Sequence, residues 1–423
     1  MSRATSTAAG QELRLGDLTV RQFLRRHWQK QPLLMRNAWH ALPYGRTLPA
    51  SLEPSVEVAQ FALTARDLFA LARNPDVESR LVFAPDEEAL RLGRTSKRAA
   101  SDTAGWRLRQ GPFNRLPSRR QRGWSLLVQG ADLHVPAART LMDRFRFLPD
   151  ARLDDLMLSF ASDGGGVGPH VDSYDVFLLQ IQGRRRWAIS APAPATLVPD
   201  APLRILADFR AEQTWVLEPG DMLYLPPGWG HEGTAIGECM TCSIGFRSPS
   251  ITELRQAFFS YLADRQPPLP NSPTGAANRY RDRTREALRH PAEIPDDMAR
   301  TLSNWLHGYR PPGHLVEHFI GCYLTEPKPS VWFDGDGPGG QLAGAAVTLD
   351  RKTRMLYRKR IFYINGEAVA APPGDRAARM LLRALADQRG LDAVQTVAAS
   401  RNPWLRDTLE EWLASGWLRR AGS

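Results

Sequence analysis

Cysteine is scarce in this chain of 423 residues: it has three, Cys239, Cys242 and Cys322. An odd and sparse set cannot build the disulfide framework of a small secreted fold, and it points to a reducing compartment. Long apolar runs are missing as well. No stretch approaches the ~20 consecutive apolar residues of a membrane helix. The first residues, MSRATSTAAGQE, carry no apolar leader ahead of the arginine-rich RQFLRRHWQK. The expectation is a cytoplasmic protein without membrane contact. Acidic residues are outnumbered, 45 against 55 lysines and arginines, for a formal charge of +10. That surplus favours approach to polyanions but speaks to association rather than fold. Internal repeats and long low-complexity segments are also absent. What is present suffices for a sizeable core, with 43 % apolar residues, 12 tryptophans and 24 % charged residues, the balance of a soluble globular chain. At ~100–200 residues per domain, the length accommodates two or three.

Local patterns divide the chain. Thr19 is placed to cap a helix through VRQFLRRHW within Leu13–Trp39, followed by the short apolar PLLMR from Pro32. Arg91 to Gly123 is rich in Arg, Ser and Gly with little apolar periodicity, which predicts a mobile basic surface region without a core strand. Between Asp154 and Arg247 come short β-rich runs, LMLSF, DVFLLQIQ, RRWAIS, TWVLEP, DMLYLPP and MTCSIGF, the pattern of an antiparallel sandwich or barrel. Gly183 and the EPGD of Glu218 to Asp221 sit where tight turns are expected. After Ser250 the texture is helical: ITELRQAFFSYLADR, DMARTLSNWLHGY and GHLVEHFIGCYL, separated by QPPLPNSP and RPPG. The last part mixes β-like AAVTLDRK and TRMLYRKRIFYIN with two amphipathic helices, AARMLLRALADQRG and LRDTLEEWLASGWL, as in a small α+β module.

The chemistry concentrates in GGGVGPHVDSYDVF and YLPPGWGHEG. His170 and Asp172 are two apart, so on a strand they share a face and can hold one metal side by side. His231 follows LPPGW at the end of a different strand. Two imidazoles and one carboxylate on one face of an octahedron, with three positions open, is the ligand set of non-haem iron(II) oxygenases. A His near an Asp is by itself an ordinary hydrogen-bonded surface pair; the glycine-rich loop before it and the second His after a PPGW turn favour the metal. One strand further on come Arg184, Arg185 and Arg186. A guanidinium can hold one carboxylate of a dicarboxylate co-substrate bidentately while the other end chelates the metal. Strand alternation sets Arg185 on the face opposite Arg184 and Arg186, so Arg185 is the candidate and its neighbours are read as solvated.

The block GVGPHVDSYDVFLLQIQGRRRWAIS with LPPGWGHEG resembles the JmjC cupin ribosomal oxygenases, in particular their bacterial arginine-hydroxylating branch. The likeness extends to LTVRQFLRRHWQKQPLLMR, to GPF with WSLLVQ, and to DDLMLSF, most of residues 14–250, and more faintly into the helical region. The resemblance implies an all-β core plus α: a double-stranded β-helix over residues 1–250, a helical dimerisation module over 251–320 and a C-terminal winged-helix-like α+β domain over 321–423. It implies iron(II) on His170, Asp172 and His231, dioxygen as co-substrate, and 2-oxoglutarate meeting Arg185, with Ser159 a weaker contact. The activity it implies is hydroxylation of Cβ of an arginine in a large-subunit ribosomal protein, coupled to decarboxylation of 2-oxoglutarate to succinate, by a homodimer. A cationic substrate wants a carboxylate, and Asp163, on the loop before GGGVGPH, is the candidate, although a turn-forming Asp ahead of glycines explains it equally. Two alternatives stay open: a histidine hydroxylase of a ribosomal protein, and a non-catalytic JmjC-fold scaffold. The insertion at Arg91–Gly123 and the late GDGPGG and PPGDRAA segments have no familiar role.

Three rival signals are weaker. His314, Glu317 and His318 form H-x-x-E-H on one helical face, the order of inverzincin metalloproteases, but with no distal acidic ligand helix. Cys239 and Cys242 are C-x-x-C within a strand pattern, where residues three apart face opposite sides, so buried small hydrophobes are expected. Basic charge and a winged-helix-like end leave nucleic-acid contact open. The late Trp404, Leu405, Leu409, Trp412, Leu413 and Trp417 recur at near-helical intervals and read as core.

Overall fold

The computed structural model describes residues 14–38, 64–85, 105–265, 296–308, 311–335, 341–342 and 344–420. At the start, β1 (Arg14–Leu15) pairs with β2 (Leu18–Thr19), and Thr19 caps α1 (Val20–Arg26). The Thr19 hydroxyl accepts the Gln22 N–H, and the Gln22 side chain accepts that of Thr19, a capping box that satisfies two end donors. The helix is shorter than the expected segment, because Gln29 takes φ 57 and the chain continues as β3 (Leu33–Met35). After α2 (Ala65–Leu71) come β4 (Ser79–Phe83) and β5 (Arg107–Gln110).

β5 corrects the reading of the basic region. Arg107 to Gln110 pairs antiparallel with β4 at the sheet edge, where backbone bonds suffice and most side chains stay exposed, so apolar periodicity is not required. Ion pairs from Arg119 to Glu238 and from Arg122 to Asp163 tie the following loop down. Residues 91–104 of that region, and most of GDGPGG, lie outside the described residues.

The main sheet follows: β6 (Trp124–Val128), α3 (Ala131–His134), α4 (Pro136–Asp143), β7 (Leu153–Ala161), β8 (His170–Val171), β9 (Val176–Ser190), β10 (Gln213–Leu217), β11 (Met222–Leu225) and β12 (Gly230–Phe246). Its strand order is β3-β11-β9-β12-β7-β6-β4-β5, with β10 also on β9 and β8 also on β12. Within this one sheet the two long strands change partners along their length. Val176–Leu179 of β9 pairs β11, while Arg185–Ile189 pairs β10. The expected turn at Gly183 is instead a bend inside one continuous strand. Gly183 (φ 64) lies against β12, where a Cβ would meet the Glu238 carbonyl at 2.1 Å, and the β9–β12 register slips between Ile236 and Thr241. The curled antiparallel β core has the cupin form expected, with EPGD at the β10–β11 turn as predicted.

Alternation sorts the side chains. On β7, Leu156, Leu158 and Phe160 enter the large core with Trp124, Phe145 and Phe177, while Asp155, Met157 and Ser159 face a cavity. On β12, Met240, Cys242 and Ile244 face the core, and Thr241, Ser243 and Gly245 the cavity. Cys239 lies in a separate small cluster with Ala161 and Ala235, so the two thiols pack apart as expected. Asp175 is fully buried, accepting from Tyr224 (2.6 Å) and Gln29 (3.1 Å) and paired with Arg152 (3.0 Å), which fastens the α1–β3 segment to the barrel.

Beyond Ser250 lie α5 (Ile251–Arg265), α6 (Asp296–Gly308) and α7 (Gly313–Thr325), with Phe258 of α5 against Phe319 of α7 at 4.9 Å between ring centroids. The C-terminal unit has β13 (Val347–Leu349), β14 (Met355–Arg358), β15 (Ile361–Ile364), β16 (Glu367–Ala370), α8 (Arg376–Gln388), β17 (Gly390–Leu391), α9 (Ala393–Ser400), α10 (Pro403–Ala414) and β18 (Leu418–Arg420). The β-like stretch TRMLYRKRIFYIN is a hairpin turning at Lys359 (φ 55). Leu405, Leu409, Trp412 and Leu413 are buried in this unit's core, with Trp404 and Trp417 packed against it. α7 packs on its sheet: Tyr363 donates to the Glu317 carbonyl and the Gly366 N–H to Thr325. The unit also meets the β core through Arg146, which donates to the Ala386 and Asp387 carbonyls, and through Arg354 on the Asp154 carbonyl. Among the described residues no helix is long and apolar enough to cross a membrane.

Candidate metal centre and its cavity

Strand pairing brings the three metal candidates together. His170 of β8 sits directly opposite His231 of β12, with ring centroids 4.2 Å apart. Each imidazole is aimed by its own backbone: His170 Nδ1 contacts the Gly168 carbonyl at 2.9 Å and His231 Nδ1 the Trp229 carbonyl at 3.1 Å. Nδ1 thus carries the proton, leaving Nε2 to ligate. Asp172 follows β8, with Oδ2 3.6 Å from His231 Nε2. One ligand atom from each residue lies within 4.8 Å of the others, and among the described residues this is the one such cluster. Burial, aided by His170, pushes the His231 imidazole down to about 3, so it is neutral and free to bind metal. Burial raises the Asp172 carboxyl, against the pull of His170 and a hydrogen bond from Tyr174.

The triad opens on a cavity of about 390 Å³ inside the curled sheet. Arg185 is 4 % exposed and lies over the Trp187 ring at 4.9 Å. Nη2 donates to the Gly233 carbonyl at 3.2 Å, while Nε has no partner. Trp187 Nε1 and Ser125 Oγ are likewise buried and unsatisfied, and all three residues line the cavity. A buried guanidinium without a carboxylate, beside unfilled donors, has a place reserved for an anion. Arg184 and Arg186 are exposed, as strand alternation predicts. Ser159 lines the cavity and donates to the Thr241 carbonyl at 3.2 Å.

Asp163 is placed otherwise than expected. It does not line the cavity: its carboxylate accepts the Gly237 N–H at 2.8 Å and pairs with Arg122 at 2.9 Å, holding the loop to β12. The carboxylate in the cavity, besides Asp172, is Asp155. It is 5 % exposed, directly opposite Gly245. A Cβ on Gly245 would lie 3.4 Å from Asp155 Oδ1 and 3.9 Å from the Tyr174 ring, so the glycine leaves a slot between carboxylate and ring. Asp155 was legible in principle: on β7 it shares the face of Ser159, four residues on. The H-x-x-E-H residues do not converge. Glu317 pairs with Arg358 and Lys359, and His318 contacts Tyr261 at 2.8 Å.

Residues 140–254 match the JmjC domain family and residues 313–419 the ROXA-like winged helix. The chain is 31 % identical over 406 residues to the ribosomal protein uL16 3-hydroxylase of Escherichia coli K12, covering 93 % of this chain and 96 % of that one. It is 33 % identical over 257 residues to a probable ribosomal oxygenase of Haemophilus influenzae, covering 60 % of this chain and 55 % of the other. The crystal structure of E. coli ycfD superposes with a TM-score of 0.74 at 29 % identity, covering 97 % of this chain and 100 % of that one. Its complex with cobalt and 2-oxoglutarate gives 0.72 at 29 % identity, covering 95 % and 98 %.

A curled β core carrying two histidines and an aspartate beside a buried, unpaired arginine defines a 2-oxoglutarate-dependent oxygenase of the JmjC type, using iron(II) and dioxygen. Within that class the chain belongs to the ribosomal oxygenases. The residues present fit the groups this chemistry needs: His170, Asp172 and His231 would hold the metal, and Arg185 would meet the distal carboxylate of the co-substrate. When bound, iron(II) supplies oxidation of an unactivated C–H bond coupled to decarboxylation of 2-oxoglutarate. The chain orients the ligands through their backbone partners, and its apolar lining, including Val176, Leu178 and Ile205, limits water.

Proposed function

We propose that the protein hydroxylates Cβ of an arginine side chain in a protein of the large ribosomal subunit. The observation that carries this reading is Asp155, a carboxylate lining the same cavity as the metal candidates, with Tyr174 reaching toward both. Tyr174 hydrogen-bonds Asp172 at one end and borders the slot at Gly245 with its ring. A guanidinium lies at the far end of its side chain, so a carboxylate set back from the metal presents Cβ to the reacting position. An aromatic face beside it adds a cation–π contact. The name of the uL16 3-hydroxylase relative supports a ribosomal protein as the substrate. A neutral histidine makes poorer use of a buried carboxylate, and a scaffold has no use for an unpaired buried Arg185. The helices of 251–320 serve as a dimerisation module in this reading, supported by the exposed Ile251 and Phe259 of α5.

The test is turnover of an arginine peptide from the uL16 family with iron(II) and 2-oxoglutarate, following succinate release and gain of one oxygen by mass spectrometry. Asp155→Asn should raise the peptide KM by about 10- to 100-fold, the value of one charge-assisted hydrogen bond, and leave the 2-oxoglutarate KM unchanged. Equal turnover of a citrulline-substituted peptide would refute the reading.

A further inference from the structure

Lys328 lies three residues beyond α7, within the segment that matches the winged helix, yet its ammonium reaches the catalytic sheet. Nζ stands 3.3 Å from Asp155 Oδ2 and 3.4 Å from Asp154 Oδ1, carboxylates that are neighbours on β7. Asp155 lines the catalytic cavity; Asp154 lines a different one. One ammonium is thus divided almost equally between a carboxylate inside the site and one outside it. Both contacts exceed the ~2.7–2.9 Å of a strong charge-assisted hydrogen bond. Gln129 donates to the same Asp155 oxygen at 2.7 Å, while Oδ1, on the Gly245 side, receives no hydrogen bond from the described residues. A guanidinium gripping Asp155 with both arms needs Oδ2 as well as Oδ1, and Lys328 stands on Oδ2.

We propose that Lys328 is a tethered competitor for the substrate's cation: it holds Asp155 in the free enzyme, withdraws to Asp154 when a guanidinium enters, and so sets the affinity of the site. The proposal rests on Asp155 as the cation site. Its consequence is a common cost for any entering cation, which must displace the ammonium from Oδ2. An incoming ammonium replaces one point charge by another and gains little, whereas a guanidinium exchanges one contact for two. The preference for arginine over lysine comes from the second contact on Oδ1, while the cost of displacing Lys328 comes from the winged-helix segment, none of whose described residues lines the cavity.

The experiment measures peptide binding to the full chain loaded with Mn(II) and 2-oxoglutarate, alongside KM and kcat with iron, for peptides carrying arginine or lysine at the target position. Lys328→Met keeps the stem and removes the charge. It should tighten the arginine peptide and lower its KM about three- to tenfold, as expected when a competent state populated at ~10–30 % becomes dominant, and tighten the lysine peptide by a similar factor. Asp154→Asn removes the alternative berth and should weaken peptide binding by a similar factor. That effect should vanish in the double variant, since the two residues act through one ammonium. A purely structural Lys328 would shift Tm without moving KM in opposite directions in the two single variants. An unchanged or raised KM in Lys328→Met, or an Asp154→Asn effect that survives in the double variant, overturns the proposal. Should Lys328→Met fail to fold, Lys328→Gln and Asp154→Asn decide it. A wild-type enzyme that neither binds nor turns over the arginine peptide refutes the functional reading instead.

Discussion

Replacing Arg185 with methionine separates what this residue does for the fold from what it does for the ligand, and the two effects have opposite signs. In the unliganded protein the guanidinium is buried with a carbonyl at 3.2 Å, an aromatic face at 4.9 Å and an unpartnered Nε. Burial lowers its pKa from the ordinary arginine value. Desolvating such an ion costs several kcal/mol that these contacts offset only in part. Methionine fills the stem's volume without a charge, so the unliganded variant should be as stable as the wild type or more so. The co-substrate reverses the comparison. Removing one partner of a buried charge pair costs about 2–5 kcal/mol of binding, or roughly 30- to 4000-fold in Kd. At 2-oxoglutarate equal to 100 times the wild-type Kd, the wild type gains about 2.7 kcal/mol and the variant less than about 1. Thermal unfolding of the Mn(II)-loaded protein should show a wild-type shift of roughly 5–11 °C, at ~2–4 °C per kcal/mol for a domain of this size, and less than about 4 °C in the variant. A variant that keeps the full shift, or whose unliganded Tm falls by several degrees, would refute the argument.

Two further changes probe the slot and the fold. Gly245→Val suits a strand and fills the space between Asp155 and Tyr174, so kcat/KM for the arginine peptide should fall at least about tenfold, the loss of one charge-assisted contact, while 2-oxoglutarate affinity measured by calorimetry stays constant. His134, at the end of α3, is held below its ordinary 6.5 by burial, with Lys352 and Arg351 adding to the effect. The unfolded chain therefore binds this proton more readily, and its contribution to stability is complete above about 6.5 and lost as pH falls below it. His134→Gln should flatten urea midpoints between pH 7.5 and 5.5 relative to wild type; parallel curves would contradict this.

The metal site was legible because its information is local. His170 and Asp172 lie two apart, so any strand puts them on one face, and His231 follows a proline-glycine turn that ends a strand. Arg185 was separable from Arg184 and Arg186 by the same period of two. The capping box at Thr19 and the tryptophan stripe of α10 were equally local. β5 was missed because an edge strand is held by backbone bonds that leave little pattern in its side chains. Gly183 was misread because a positive φ looks alike in a turn and in a bend, and only the carbonyl of Glu238 pressing from β12 distinguishes them.

Asp163 and Asp155 mark the boundary between the two kinds of knowledge. By itself the sequence determined which side chains can bind a metal, which arginine faces inward, and that the middle of the chain is β and the end mixed, since each follows from neighbours a few residues apart. Which carboxylate enters the cavity depended on the curvature of β9 and β12 and on pairing between residues 90 apart, Asp155 with Gly245. That a lysine more than 150 residues beyond His170 reaches the same carboxylate depended on how the C-terminal unit packs against β7. Such contacts are properties of the closed barrel and its packed neighbours, and no short-range periodicity encodes them.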